Sequence, residues 1–253
     1  MSMDLGLDGR VALVMGASRG IGRGIAAVLA REGARVAIAS RSRQRIEEAA
    51  AGIDGGDVAA FVADASDVER LEALPGEVSE ALGPVEILVA NTGGPPFGGA
   101  LDHGVEEWER AYRSLVLGPL TLAAAVVPGM RDSGWGRIVN VGSTSTLEPI
   151  PGLNLSNANR LAAVGFLKTL SLEIAGDGIT VNTVATGRFA TERLADADGS
   201  LDAAEAAARE QVPAGRLGRP DEYGDLVALL CSERAAYITG ATIPIDGGLV
   251  RST

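Results

Sequence analysis

The sequence predicts one α/β domain in which helices cover both faces of a doubly wound parallel sheet. Short apolar runs, several of them rich in Val or Ile, alternate along the 253 residues with longer segments of helical pattern. Continuous apolar runs are typical of strands buried on both faces, and a β-α-β-α alternation favours parallel strands joined by right-handed crossovers. No internal repeat or low-complexity linker divides the chain, so we expect a single domain over residues 1–253.

The individual elements follow from the same pattern in chain order. Seven runs, most of them bounded by Gly or Asp, are predicted to be strands: 11–15, 35–39, 58–62, 85–90, 137–141, 180–184 and 241–245. The segments between them are predicted to be helices: 22–31, 43–52, 68–82, 105–130, 156–175 and 220–230. We interpret the polar, Ala-rich and Asp-rich stretch 191–213 as an inserted loop plus helix that forms a lid near the site.

Composition excludes several classes of function. Lys and Arg number 22 against 33 Asp and Glu, which gives a net charge of −11. Nucleic acids and anionic membranes attract a positive surface, so we expect neither as a partner. Cys231 and His103 are the only residues of their types, so no internal disulfide and no metal site are expected. No run approaches the ~18 apolar residues of a membrane span and no signal-peptide pattern is present, so we expect a cytoplasmic protein.

A glycine-rich turn joins the first predicted strand to the first helix. Its glycines follow the spacing G-x-x-x-G-x-G, and the candidate binding residues are Gly16, Ser18, Arg19, Gly20, Ile21 and Gly22. Glycines allow a tight turn and bring backbone N–H groups close to a pyrophosphate at the helix N-terminus. A plain βα turn would need similar residues, but the position directly between strand and helix favours a dinucleotide site.

The end of the second strand indicates which dinucleotide is bound. An NAD site usually has an Asp or Glu here for the ribose 2′-hydroxyl. This chain has Ser40 followed by Arg41, and Arg19 stands in the glycine-rich turn. Two guanidiniums suit a 2′-phosphate through charge-assisted bonds, so NADP(H) is predicted rather than NAD(H). The alternative is that both arginines are solvated surface residues.

Further motifs carry a family resemblance over nearly the whole chain. They are Asp64 after the third strand and the segments 90–94, 136–143, 178–182, 237–240 and 246–248. Together with the glycine-rich turn, they resemble the short-chain dehydrogenase/reductase family, particularly its 3-oxoacyl-ACP-reductase-like branch. The resemblance implies a Rossmann-type fold and hydride transfer between a nicotinamide and a small carbonyl or alcohol substrate. It also implies a homo-oligomer, a tetramer or dimer built through the long helices.

The resemblance extends the predicted cofactor site beyond the glycine-rich turn. It assigns Asp64 and Ala65 to the adenine, and Asn91 and Gly93 to the adenine-ribose stretch. It assigns Gly187, Phe189 and Thr191 to the nicotinamide amide and the phosphates, and Arg160 to the nicotinamide ribose.

The reacting end departs from the family pattern. The resemblance implies that Ser143 holds the substrate oxygen, but it aligns Ser156 with the family Tyr, Arg160 with the Lys and Leu115 with the Asn. A Ser hydroxyl is far less acidic than a phenol, whose pKa is about 10. Arg keeps the positive charge but does not release a proton, and Leu cannot hold a relay water. We therefore expect the usual proton relay to be altered.

Three other side chains are compared as replacements for the missing groups of the relay. Tyr112 precedes Leu115 by three residues and shares its helix face, so it is a possible surrogate acid as well as a possible packing residue. His103 lies in a Gly-flanked loop that could approach the site or be solvated. Lys168, the only lysine in the chain, lies about 12 Å along the helix from Arg160, too far to supply the amine.

Two classes of function remain open from the sequence. The first is an NADP(H)-dependent oxidoreductase in which Ser143 orients the oxygen and a group other than Tyr supplies the proton. An activated carbonyl, or a water in the vacated Tyr volume, would suffice, because acid–base catalysis contributes only about 10²–10⁴-fold. The second is a dinucleotide-binding protein without redox turnover, acting as a sensor or partner subunit. Non-redox chemistry in the retained cavity is a weaker third alternative.

Overall fold

The seven apolar runs form one parallel sheet in the computed structural model, which describes residues 4–252. The strands are β1 (Val11–Met15), β2 (Arg35–Ser40), β3 (Val58–Val62), β4 (Ile87–Ala90), β5 (Gly136–Val141), β6 (Ile179–Thr186) and β7 (Thr242–Ile245). Within the described residues their order is β3-β2-β1-β4-β5-β6-β7, and each neighbouring pair is parallel. The predicted doubly wound fold is confirmed.

The direction of winding changes between β1 and β4, which are neighbours in the sheet. Ala12 pairs with Ile87, and Val14 pairs with Val89. In open α/β sheets the crevice outside the carboxyl ends of the strands, at such a switch point, is where ligands bind. The turn after β1 and the loop after β4 therefore meet at one edge of the sheet, beside the segments that follow β5 and β6.

Helices cover both faces of the sheet. In the described part of the chain they are α1 (Gly20–Arg31), α2 (Arg43–Ala51), α3 (Val68–Leu82), α4 (Val105–Tyr112), α5 (Gly118–Ser133), α6 (Asn154–Ile174), α7 (Glu192–Asp198), α8 (Leu201–Gln211) and α9 (Pro220–Cys231). Val14 of β1 lies in one core cluster with α1 and α9, whereas its neighbour Leu13 lies in the other with α3, α5 and α6. Successive strand residues face opposite sides, so one strand supplies both cores.

The helix predicted over 105–130 is present as the helical stretch Val105–Ser133, but a π-helical turn that the sequence did not predict lies within it. A π-helical turn, Arg113–Leu117, separates α4 from α5, and the N–H of Gly118 donates to the carbonyl of Arg113. Pro119 has no N–H for the carbonyl of Leu115, its partner four residues earlier in an α-helix, so the α-helical bonding cannot continue there. Gly118 also packs closely, since a Cβ there would lie 2.5 Å from the carbonyl oxygen of Ala65.

The helical stretch Val105–Ser133 is long and apolar enough by composition to pass a test for a membrane span, with a mean hydropathy of 1.4. Half of that apolar window is buried inside the fold. Leu122 and Val126 of α5 join the core beneath the sheet. The apolar character of α5 is therefore accounted for by its place in the core.

The lid contains two helices where one was expected. α7 and α8 are separated by Gly199, which adopts a left-handed backbone with φ of +87°. Ala204 and Ala208 of α8 pack with Val212 and Leu217 in a small cluster of their own. The lid thus has an internal core and can keep its shape.

Candidate active site

The glycine-rich turn has a shape that side chains would obstruct. Gly16 and Gly20 have φ of +60° and +55°, the left-handed region that favours glycine. A Cβ on Gly22 would lie 2.4 Å from the carbonyl oxygen of Gly16 and 2.6 Å from Nδ2 of Asn91. The first turn of α1 has neither an acidic residue nor a side-chain cap at Arg19. Its N–H groups remain available to an anion, as a pyrophosphate site requires.

Asn91, at the end of β4, joins the loop after that strand to the glycine-rich turn. Its Nδ2 lies 3.2 Å from the carbonyl oxygens of both Met15 and Gly16. Gly93, two residues later, is exposed and has open space around its Cα. The two predicted residues of this loop thus lie beside the turn, at the switch point of the sheet.

A cleft of about 620 Å³ opens beside β3 at the same edge of the sheet. Its charged walls include Arg41, Arg43, Asp64, Asp67, Arg70 and Glu77. Arg43 pairs with Glu47 and Arg70 pairs with Glu77. Arg41 is exposed and, among residues 4–252, takes part in none of the ion pairs. It is therefore a free cation at the place predicted for the 2′-phosphate.

Asp64 is held in a fixed orientation at the rim of this cleft. Its Oδ1 accepts hydrogen bonds from the N–H of Ser66 at 2.9 Å and from the Ser66 hydroxyl at 2.8 Å. Ala65 follows directly and packs closely against Gly118. The opposite carboxylate oxygen of Asp64 is left for another partner.

The second predicted phosphate ligand, Arg19, is engaged by the lid. Its guanidinium pairs with the carboxylate of Glu192 at the start of α7. Thr191 lies against the glycine-rich turn, since a Cβ on Gly20 would be 3.3 Å from its methyl carbon. A phosphate at Arg19 would share that guanidinium with Glu192, so Arg41 is the better placed of the two predicted ligands.

Ser143 stands where β5 ends. Its Oγ accepts a hydrogen bond from the N–H of Ser145 at 3.1 Å, and its carbonyl accepts from the Thr146 hydroxyl at 2.8 Å. Because the Oγ is held as an acceptor, its own proton is free to be donated. A hydroxyl fixed in this way can hold a substrate oxygen.

Arg160 and Ser156 form a pair on α6 that reaches down to the sheet. Arg160 donates from Nε to the Ser156 hydroxyl at 3.2 Å and from Nη1 to the carbonyl of Val141 at 2.7 Å. Burial lowers the pKa of Arg160 to about 10, with a smaller effect in the same direction from the guanidinium of Arg193. The guanidinium of Arg160 therefore lies against the last residue of β5, Val141, which precedes Ser143 by two residues in the sequence.

A buried tyrosine that the sequence interpretation overlooked lies close to Arg160. The hydroxyl of Tyr223 is 3.0 Å from the Thr186 Oγ1 and donates to the carbonyl of Val184 at 3.2 Å. Burial raises the pKa of Tyr223, while the charge of Arg160 acts in the opposite direction. Tyr223 has no signature in the sequence, because a tyrosine in an apolar helix is typical of a core residue.

The residues aligned with the nicotinamide end follow β6. A Cβ on Gly187 would lie 2.6 Å from the Cα of Asp246, so the backbone after β6 passes tightly against the segment after β7. Phe189 is buried, and its ring meets that of Tyr223 edge-on with centroids 5.2 Å apart. Phe189 therefore forms a rigid wall below the lid.

The candidate substitutes for the family acid occupy different environments. Leu115 is buried with Ala111 and Leu155, whereas Tyr112 on the same helix is 46% exposed. The side chain of His103 is buried, and its Nδ1 lies 3.5 Å from a carboxylate oxygen of Glu107. The roles of Tyr112 and His103 stay predictions. Lys168 is exposed and donates to the carbonyl of Gly240 at 2.9 Å.

Arg193 of the lid is the charged residue of the site that the sequence did not reveal. Its Nη2 donates to the carbonyl of Pro95, in the loop after β4, at 2.8 Å. The second glycine of the 90–94 segment, Gly94, is the signal that could have pointed to it, because a Cβ there would lie 2.3 Å from the guanidinium carbon. In the described part of the chain, no group of three or more His, Cys, Asp or Glu side chains could hold a metal ion.

Comparison with known proteins identifies relatives over almost the full length. Residues 16–250 match the family model described as enoyl-(acyl carrier protein) reductase. The chain is 37% identical over 247 residues to the 3-oxoacyl-[acyl-carrier-protein] reductase FabG of Vibrio cholerae, covering 97% of this chain and 99% of that protein. It is 36% identical over 250 residues to the human dehydrogenase/reductase SDR family member 4, covering 96% of this chain and 88% of that protein.

A solved structure shares the fold over almost the full length of the chain. The L-sorbose reductase of Gluconobacter frateurii, complexed with NADPH and L-sorbose, superposes with a TM-score of 0.94 at 31% identity, covering 99% of this chain and 100% of that one.

Proposed function

The chain belongs to the short-chain dehydrogenase/reductase family, and on that premise we propose that it is an NADP(H)-dependent oxidoreductase acting on a carbonyl or alcohol group. The observation that carries the proposal is the close approach of Gly16, Gly22 and Asn91, a cradle that a single Cβ would fill, at the same sheet edge as Ser143. Such a cradle fits a pyrophosphate that must come near the backbone. NADPH, when bound, supplies the hydride that reduces the carbonyl carbon.

The cofactor residues divide between its two ends. On the adenosine side we assign Ser18, Ile21 and the glycines of the turn to the pyrophosphate, Arg41 with Arg19 to the 2′-phosphate, Asp64 and Ala65 to the adenine, and Asn91 and Gly93 to its ribose. On the nicotinamide side we assign Arg160 to the ribose, and Gly187, Phe189 and Thr191 to the amide and the phosphates. The free guanidinium of Arg41 supports NADP(H) over NAD(H), because a 2′-phosphate gives it a charged partner.

The substrate oxygen is held by Ser143 in this proposal. The Ser145 N–H fixes the Ser143 Oγ from one side, so the hydroxyl proton points to a new acceptor. As the carbonyl carbon gains a hydride, negative charge develops on the oxygen. Ser143 donates to that oxygen, and the buried charge of Arg160 stabilises it in an environment of low dielectric.

The proton that completes the alcohol has a different source from that of the family pattern. Ser156 accepts a bond from Arg160, which stabilises negative charge on its oxygen, yet a Ser hydroxyl remains a weak acid. We propose that solvent water delivers the proton to the alkoxide, and that Ser156 and Arg160 orient that water. Tyr112, half exposed on α4, is the second candidate donor.

The decisive experiment follows NADPH absorbance over a panel of aldehydes and ketones. We expect turnover with activated carbonyls and a loss of about 100-fold or more in kcat for Ser143→Ala, because a donor to a developing oxyanion is removed. Ser133→Ala, which removes a hydroxyl at the end of α5, is the matched control and should leave turnover unchanged. Cofactor binding without turnover in any assay would instead favour a dinucleotide-binding protein without redox activity.

A further inference from the structure

The loop after β4 binds one arginine of the lid, Arg193, through several contacts. Besides its bond to the Pro95 carbonyl, Arg193 has its guanidinium carbon 4.9 Å from the centroid of the Phe97 ring. Gly94 leaves the space that the guanidinium fills. The side chain therefore joins α7 of the lid to the loop after β4 in a defined position.

Arg193 and Arg160 are close enough for their charges to interact, and within residues 4–252 neither guanidinium bonds to a carboxylate. Burial lowers the pKa of both Arg193 and Arg160, and the charge of Arg193 lowers that of Arg160 further. The acidic group that acts on Arg193 is Asp196, which among the described residues neither bonds to it nor forms an ion pair with it. In a chain of net charge −11, this is a local excess of positive charge that an anion would neutralise.

A further polar group beside Ser143 is also unsatisfied. Ser145 is 4% exposed, and its Oγ has no hydrogen-bond partner within the described chain. Nε of Arg188, on the segment that leads into the lid, is likewise buried without a partner. Arg188 is otherwise paired through its guanidinium with Asp198. Buried polar groups are nearly always paired in folded proteins, so the unpaired Ser145 hydroxyl, two residues from Ser143, indicates a polar ligand.

We propose that the substrate carries a carboxylate in addition to its carbonyl, and that Arg193 binds this carboxylate at the mouth of the site while Ser143 holds the carbonyl oxygen. The inference rests on the proposed function and adds the substrate class. The bond to Pro95 uses one of five N–H donors, which leaves the fork free for a bidentate carboxylate. The positive charge of Arg160 adds a long-range electrostatic attraction for the carboxylate.

The test compares 2-oxo and 4-oxo acids with their methyl esters as substrates. We expect the protein to favour the acid over the ester in kcat/KM by tenfold or more for at least one pair. In Arg193→Gln, the acid-to-ester ratio should fall roughly 10- to 100-fold, as expected for loss of a charged hydrogen bond. Arg193→Lys, which keeps the charge without the fork, should lie between the two. Arg209→Gln removes the same charge from an exposed position of α8 and should leave the ratio unchanged.

Several outcomes would overturn the assignment. A ratio near one, or a preference for the ester, contradicts it directly. Weaker NADPH binding in Arg193→Gln with an unchanged ratio would assign Arg193 to the cofactor instead. Melting temperatures of the variants within a few degrees of the unaltered protein show that the fold is kept.

A binding measurement separates this inference from the proposed function. If no carbonyl compound is reduced, the protein saturated with NADPH is titrated calorimetrically with 4-oxopentanoate and with its methyl ester. Binding of the acid alone, lost in Arg193→Gln, supports the carboxylate site although redox turnover is absent. No binding of the acid overturns it.

Discussion

The two ends of the cleft differ in what constrains their residues. At the adenosine end, backbone sterics dominate: Gly16 and Gly22 leave no room for a Cβ, and Asn91 fills the space beside them. At the reacting end, side chains dominate, and Ser156 and Arg160 bond to each other and to the Val141 carbonyl without straining the fold. The adenosine end therefore tolerates few substitutions, whereas the side chains of the reacting end can be replaced by others with different chemistry.

The difference indicates that binding and catalysis are separable in this fold. The π-helical turn Arg113–Leu117 has Leu115 at its centre, and Pro119 interrupts the α-helical bonding there whatever residue stands at 115. The backbone of the site is thus fixed by residues other than those that react.

The largest expected effect comes from altering the adenosine end, where backbone sterics constrain the residues. Gly22→Ala would place a Cβ 2.4 Å from the Gly16 carbonyl and push the turn out of shape. We expect NADPH binding, measured by fluorescence titration, to weaken at least 100-fold. Gly76→Ala, in open space on α3, is the control and should bind normally. Normal binding by Gly22→Ala would mean that the turn does not hold the cofactor.

An intermediate effect is expected at the free cation of the adenosine end. Arg41→Ala removes the guanidinium proposed for the 2′-phosphate, so the ratio of NADH to NADPH dissociation constants should fall about tenfold or more. Arg45→Ala, exposed on α2, should leave that ratio unchanged. An unchanged ratio in Arg41→Ala would place the 2′-phosphate elsewhere.

The smallest expected effect is on stability, at the reacting end. Burial lowers the pKa of Arg160 to about 10, so the folded state disfavours its charged form. The penalty is fully present below pH 10 and disappears as the pH rises through the folded pKa toward the higher pKa of the unfolded state. Arg160→Met should therefore raise the free energy of unfolding at pH 7 by about 1 kcal/mol, since an apolar side chain of similar size replaces an unpaired buried charge.

Urea unfolding of Arg160→Met measures this gain, with Arg110→Met on the exposed side of α4 as the control. A destabilised Arg160→Met would show that the bond to the Val141 carbonyl outweighs the burial of the charge.

The features that the sequence could reveal are local ones. The strands follow from continuous apolar runs, and the glycine-rich turn follows from residue spacing within seven positions. The π-helical turn at Arg113–Leu117 was not predicted because the apolar pattern continues through it, although Pro119 was a local sign. The contact of Arg193 with Pro95 joins residues 98 apart, and the pairing of Arg19 with Glu192 joins residues 173 apart. Such contacts depend on how the lid folds back, which no local pattern encodes.

The single lysine has a practical consequence. Lys168 is exposed on α6, with its amine at the Gly240 carbonyl and about 12 Å along the helix from Arg160. Amine-reactive reagents therefore have one side chain to modify. Apart from the α-amine of the chain, a fluorophore or a surface tether would couple at this one known side chain and leave every arginine of the site untouched.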